Sequence, residues 1–230
     1  MRFQNRAGLL FWHNAALVTF AAVAIGMTWT VMNSGFSSSE VMKDVIEDAV
    51  TDSANAFQVV GSMTGTAQVA ADEVMVTATP ITTTINGIVD LDTSNIRIAY
   101  KIIKDASYTI TQENIYAGTL YGTSYNSVGS AIKAAKEQGL ISTNPLIDEQ
   151  KPQETVAFLY WIINLDGDKY LQNGEIMNLV IIYSEKDRPS TGEYLHIQAT
   201  EKQGILLDIQ RTVPNISTSI LDFGGKVKND

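Results

Sequence analysis

Val156-Ala-Phe-Leu-Tyr-Trp-Ile-Ile163 and Met177-Asn-Leu-Val-Ile-Ile-Tyr183 are two short apolar runs separated by a segment rich in Asp, Asn and Gly. Their length and their β-branched and aromatic content predict two buried β-strands joined by a turn. Outside this pair, apolar residues alternate with other residues, as in strands with one buried face, at residues 74–78, 96–102, 194–199 and 205–210. Strands at this spacing, separated by Gly, Asn, Asp and Pro, predict an antiparallel, immunoglobulin-like β-sandwich.

Two features interrupt the strand pattern. Residues 131–138, followed by Gly139, predict a short helix. Gly118, Gly122 and Gly129 lie among Tyr and Ser residues, a composition typical of a flexible surface loop.

The N-terminal region is apolar on all sides. No formally charged residue occurs between Arg6 and Glu40, and this run is long enough to cross a bilayer as a helix. No convincing cleavage site follows it, so we expect it to remain in the mature protein rather than to act as a signal peptide. Its large apolar side chains are Leu9, Leu10, Phe11, Trp12, Leu17, Val18, Phe20, Val23, Ile25, Met27, Trp29 and Val31.

Residues 41–60 continue with apolar positions at helical spacing and charged residues on the opposite face. Residues 9–60 therefore predict one long helix, about 52 residues and roughly 78 Å long, closed by Gly61. The predicted class is α+β, with a possible leader at 1–8, a hydrophobic helix at 9–60 and a β-sandwich domain at 61–230. A helix this apolar must be covered by lipid or by copies of itself.

Composition excludes several functions. The chain has 25 acidic and 16 basic residues, a net charge of −9, which argues against nucleic-acid binding. It has no cysteine, which excludes disulfides and thiolate chemistry. The two histidines, His13 and His196, have no nucleophile or acid readable around them, so we expect a protein that is not an enzyme and requires no cofactor.

The segment between the two apolar runs is the best candidate for a binding site. Asp166 and Asp168 alternate with other residues and Glu175 follows, which suits a hard cation such as Ca²⁺ because this ion takes six to eight oxygen ligands. The spacing differs from that of a helix-flanked calcium loop, and predicted strands flank the segment. The alternative is a plain turn, since Asp-Gly and Asn-Gly are common hairpin residues. Elsewhere, Asn215-Ile-Ser217 is a glycosylation sequon, with Asn215 as the acceptor.

Several stretches together resemble archaeal flagellins, the archaellins. The N-terminal stretch is similar at Asn14–Met27 and at Val41–Gly61, which ends Ala56-Phe-Gln-Val-Val-Gly61. The run from Val156 with its Asp166–Glu175 turn resembles the outer domain of that family, and Gly204–Pro214, with Arg211-Thr-Val-Pro, resembles its closing strand. The resemblance implies cleavage by a prepilin-type peptidase between Gly8 and Leu9.

The family also implies a function. It predicts an extracellular filament that is a homopolymer of this chain, whose helices form the core, and which is assembled on a membrane platform and rotated by a separate motor. One alternative is a static adhesion pilus, because rotation resides in the motor. Another is a membrane-anchored β-sandwich that acts as a binding module or a stator-like component, with lipid covering the apolar run.

Overall fold

The two apolar runs form adjacent antiparallel strands at the centre of a large sheet. A computed structural model describes residues 57–84, 86–104, 109–121, 124–148, 150–201 and 204–224. The strands are β1 (Phe57–Val59), β2 (Thr64–Gln68), β3 (Glu73–Thr83), β4 (Ile88–Asp90), β5 (Arg97–Ile103), β6 (Thr109–Gln112), β7 (Tyr116–Leu120), β8 (Val156–Ile163), β9 (Tyr170–Gln172), β10 (Ile176–Ile182), β11 (Tyr194–Glu201), β12 (Gly204–Thr212) and β13 (Ile220–Asp222). Helix α1 (Val128–Glu137) lies between β7 and β8.

The strands form two main sheets and a small ribbon. The first sheet has the order β13-β2-β3-β10-β8-β7, with β1 also paired to β3. The second has the order β12-β11-β5-β6, and β4 pairs with β9 in a two-stranded ribbon. All pairs are antiparallel except β7 with β8. The predicted α+β class and antiparallel sheets are thus confirmed.

The parallel pair corrects the prediction of a wholly antiparallel, immunoglobulin-like sandwich. Parallel neighbours need a crossover connection, whereas antiparallel strands can be joined by a tight turn. Here the chain leaves β7 at Leu120, passes through α1 and returns at Val156 to pair alongside it.

The first sheet is buried on both faces. On β8, Leu159 and Trp161 belong to the core that the two sheets share. Phe158 and Tyr160, which point the other way, belong to a second core that includes Ala131 and other residues of α1. A strand buried on both sides needs apolar residues at successive positions. This is the physical reason for the unbroken apolar run that begins at Val156.

Helix α1 begins at Val128, three residues before the predicted start at residue 131, and ends at Glu137, one residue before the predicted end. The Ser127 hydroxyl caps it by accepting the N–H of Ser130 at 3.2 Å. At its other end Gly139 adopts φ +76°, a conformation that favours glycine. Ala131, Ile132 and Ala135 form its buried face.

Two predictions are wrong. The helix predicted for residues 9–60 is wrong at its last residues, because Phe57–Val59 forms the strand β1, which pairs with Thr83, Thr82 and Ile81 of β3. Gly61 therefore follows a strand and does not close a helix. The expected glycine-rich surface loop is also incorrect, since Gly118 lies buried in β7 and Gly129 lies in α1, while Gly122 falls outside the described residues. Within the described ranges, no helix is long and apolar enough to cross a membrane.

Candidate functional site

The predicted N-terminal sites lie outside the described residues. This holds for the peptidase site at Gly8 and Leu9, for His13, and for the twelve apolar residues of the predicted filament core, which begin at Leu9 and end at Val31. The candidate sites within the described residues are the loop between β8 and β10, the sequon and the surroundings of His196.

The loop between β8 and β10 is held by its own side chains. The Asn164 Oδ1 atom accepts the N–H of Gly167 at 2.7 Å. Asp166 Oδ1 accepts the N–H of Asp168 at 3.1 Å, and Asp168 Oδ1 accepts the N–H of Tyr170 at 2.7 Å. Side-chain acceptors that bond the backbone two residues onward are characteristic of Asx turns, and Gly167 supplies the positive φ of 78° that the turn requires.

Glu175 closes this loop from the inside. Its side chain is buried, with 1% exposure. One carboxylate oxygen accepts the N–H of Leu165 and the other accepts the N–H of Gln172, each at 2.9 Å. The carboxylate thus joins the two arms of the loop and satisfies two backbone donors.

The three predicted metal ligands therefore lie in one loop, but Glu175 faces its interior. The Gln172 side-chain amide donates to Asp166 at 3.0 Å and to Asp168 at 3.1 Å, so loop donors engage all three carboxylates. In the described part of the chain, no group of three or more His, Asp or Glu side chains is arranged to hold a metal ion. The Ca²⁺ site stays a prediction, and the geometry favours the alternative of a plain turn.

The sequon is accessible. Asn215 is exposed in the segment between β12 and β13, whereas the next residue, Ile216, is buried at 6% exposure. The Ile216 N–H donates to the Thr191 hydroxyl at 3.1 Å, and this contact fixes the backbone with Asn215 turned outward. An exposed acceptor is what glycosylation requires, and its occupancy stays a prediction.

His196 is part of a polar row on the outward face of the second sheet. Its Nε2 atom lies 3.0 Å from Asp208 Oδ2, across the β11–β12 pair. Gln198 and Gln210 also donate to Asp208, at 3.2 Å each. Burial opposes ionisation of Asp208, yet these donors outweigh it and hold the pKa of its carboxyl below the usual value. This pair could not be predicted from the sequence, because it depends on the register of β11 and β12.

A second polar group without a local sequence signal lies in the core. The Tyr100 hydroxyl and the Thr155 hydroxyl donate to Asp187 Oδ2 at 2.5 and 2.7 Å, and Thr155 accepts the N–H of Ser184 at 3.0 Å. Burial raises the pKa of the Tyr100 hydroxyl. Burial also opposes ionisation of Asp187, but hydrogen bonds from Tyr100 and Thr155 hold the pKa of the Asp187 carboxyl below its usual value. Since Tyr100 lies on β5 and Thr155 precedes β8, this group ties the two sheets together.

The fold is similar to that of known structures. The crystal structure of archaeal flagellin FlaB1 from Methanocaldococcus jannaschii matches with a TM-score of 0.53 and 14% identity, over 75% of this chain and 98% of that one. The described residues have the fold of an archaeal flagellin. This confirms the archaellin resemblance at the level of the fold.

Two further structures show weaker similarity to this chain. The archaeal flagellum of Methanospirillum hungatei strain JF1 gives a TM-score of 0.39 at 11% identity, over 94% of this chain and 96% of that one. The archaellum periplasmic stator protein FlaG from Sulfolobus acidocaldarius gives a TM-score of 0.32 at 12% identity, over 67% of this chain and 96% of that one. These two scores are too low to carry an argument. No protein-family model and no curated protein matches the sequence.

Proposed function

We propose that this chain is the structural subunit of an archaellum-type filament on the cell surface. The observation that carries the proposal is the flagellin fold of the β-domain, matched over 98% of a flagellin chain. The uncharged apolar run that precedes this domain supports it, because a soluble β-domain alone has no use for such a run.

Assembly would rest on burial of the apolar run. Each large apolar side chain contributes roughly 1.5–3 kcal/mol when it is removed from water, so the dozen residues from Leu9 to Val31 would contribute tens of kcal/mol per subunit before the cost of ordering. In this proposal the mature chain starts at Leu9 after cleavage by a prepilin-type peptidase. A membrane platform adds subunits to the homopolymer, and a separate motor rotates it.

We also propose that the protein is not an enzyme. The two buried carboxylates of the described residues that resemble a catalytic arrangement hold the fold together. The Asp187 carboxylate accepts hydrogen bonds from the Tyr100 and Thr155 hydroxyls in the core. The Glu175 carboxylate accepts hydrogen bonds from two backbone N–H groups.

Electron microscopy of material sheared from producing cells tests the filament proposal, with the subunit identified by mass spectrometry. Filaments made of this chain, on cells that swim, are the expected result. Filaments on cells with a working motor that do not swim would favour the adhesion pilus. Dispersal of the protein in the membrane, with no filaments, would refute the proposal and favour the membrane-anchored β-sandwich.

A matched pair of variants tests the predicted core. Phe20→Asp should abolish filaments, because a buried carboxylate without a partner costs several kcal/mol. Phe20→Leu, which keeps an apolar side chain, should leave them intact. Normal filaments from Phe20→Asp would remove Phe20 from the core.

A further inference from the structure

Exposed apolar side chains gather at one end of the β-domain. Ile88, Tyr121, Ile163 and Leu165 are 55%, 45%, 41% and 68% exposed, and they are half of the eight large apolar side chains exposed among the described residues. We call these four residues the loop-end surface. Isolated exposed apolar residues are ordinary, whereas a group of them rimmed by polar residues is typical of an interaction site.

Contacts across the loops hold this surface together. Ile88 on β4 lies opposite Gln172 on β9, and the Gln172 side chain reaches Asp166, next to Leu165 in the chain. Asp90 pairs with Lys169 at 3.2 Å. Tyr121 and Ile163 lie at the same end of the first sheet, because β7 and β8 run parallel with Leu120 opposite Tyr160.

The rim of the loop-end surface is acidic. Three aspartates (Asp90, Asp166 and Asp168) accompany Lys169 there, which leaves an excess of negative charge. The donors that bond Asp166 and Asp168 are neutral amides. A partner for this surface should therefore carry positive charge next to an apolar centre.

The β5 part of the outward face of the second sheet has those properties, whereas the Asp208 carboxylate lies two strands away on β12, where Gln198 and Gln210 donate to it. Arg97 and Lys101 on β5 are exposed, and neither forms an ion pair with another described residue. Ala99 lies between them, and the half-buried Tyr194 and Ile103 lie opposite each other on β11 and β5. We call this region, centred on Arg97, Ala99 and Lys101, the outer sheet face. The one α-helix among the described residues packs on the other sheet.

We propose that the loop-end surface of one copy docks on the outer sheet face of the next copy, so that Asp166 and Asp168 oppose Arg97 and Lys101. This contact rests on the proposed filament function and names the β-domain surfaces that subunits would share. Two copies of the outer sheet face would instead oppose like charges, as would two loop-end surfaces. A contact between different surfaces of identical chains generates open helical polymers rather than closed dimers, which suits a filament.

The absence of cysteine allows a direct test. Full-length chain carrying both Thr111→Cys, which lies exposed opposite Lys101 on β6, and Asn173→Cys, which lies exposed next to Gln172, is assembled into filaments in producing cells. The filaments are treated with a short bis-maleimide crosslinker and run on a denaturing gel. The expected result is a ladder of crosslinked species beyond the dimer, because each subunit links to the one before and the one after. Each single-cysteine variant should stop at the dimer or below. The matched control, Lys133→Cys with Asn173→Cys, places its first cysteine on the exposed face of α1, where the Lys133 side chain is 70% exposed, and should give no ladder.

Charge reversal provides a second measurement on the same filaments. Adding Arg97→Glu and Ala99→Glu to the double-cysteine chain should lower the ladder yield about tenfold or more, because like charges across an interface oppose docking. Three results would overturn the contact while the filament function stands. They are filaments that give no ladder, a Lys133 control that gives an equal ladder, and a ladder yield that the charge reversal does not change. A chain that forms no filaments even when unaltered would overturn both.

Discussion

Replacing Glu175 by glutamine should destabilise the β-domain by removing one of the two acceptors that close the β8–β10 loop. The glutamine side chain has nearly the same shape, but its amide nitrogen must face either the Leu165 N–H or the Gln172 N–H, which Glu175 accepts at 2.9 Å each. Leaving one buried donor unsatisfied costs about 1–3 kcal/mol. For a domain of this size, a loss of about 2 kcal/mol lowers Tm by about 4–8 °C.

Thermal unfolding of the detergent-solubilised full-length chain, followed by circular dichroism, measures this effect. Glu154→Gln is the matched control, because Glu154 is exposed and substitutions at such positions change stability by about 0.5 kcal/mol or less. The same assay separates the turn from the metal site. A ligand that binds only the folded state raises Tm, so a turn that binds no metal should show the same Tm with Ca²⁺ and with a chelator.

Two results would refute this reasoning. If Glu175→Gln and Glu154→Gln have the same Tm, then the Glu175 carboxylate does not hold the loop. If Ca²⁺ raises the Tm of the unaltered chain and Glu175→Gln abolishes that rise, then Glu175 is a metal ligand and the loop geometry changes when the ion binds.

Three other predictions follow from the described contacts. The pKa of Asp187 is lower in the folded chain than in the unfolded one, so its charged form stabilises the fold above the ordinary carboxyl pKa of about 4. This stabilisation is lost as pH falls through the lower folded pKa. Asp187→Asn should therefore lose less stability on acidification when Tm is measured across pH, and an unchanged pH dependence would contradict the assignment. Gly65→Ala should cost about 1–3 kcal/mol, measured in denaturant, since a Cβ there would lie 2.7 Å from the buried Phe223 ring; a neutral effect would show that the ring moves freely. In filaments from the native producer, Asn215→Gln should reduce subunit mass by that of one glycan, and an unchanged mass spectrum apart from the substitution would exclude occupancy.

The candidate loop was only partly predictable. Asp166, Asp168 and Glu175 stood out as oxygen-bearing residues between two strands, and the structure places them in one loop. Their orientation was not readable from the spacing. Glu175 turns inward to accept the N–H groups of Leu165 and Gln172, and that depends on how β9 is placed.

Contacts between distant residues set the limits of prediction elsewhere. Phe57 lies at the end of a segment with helical periodicity, yet it forms strand because residues near Thr83 offer an edge of β3 for pairing. Tyr100 and Asp187 lie 87 residues apart in the chain, and neither has a local feature that indicates the other.

The sequence by itself determined the elements whose signal is local: the strands β5, β8 and β10, the helix α1 with its glycine end, and the long uncharged N-terminal run. Periodicity reports which face of an element is buried, and capping residues report where it ends. Only the tertiary structure decided which strands are neighbours, that β7 runs parallel to β8, and that Glu175 and Asp187 face inward. Those outcomes depend on the summed contacts of residues far apart in the chain, which no local pattern encodes.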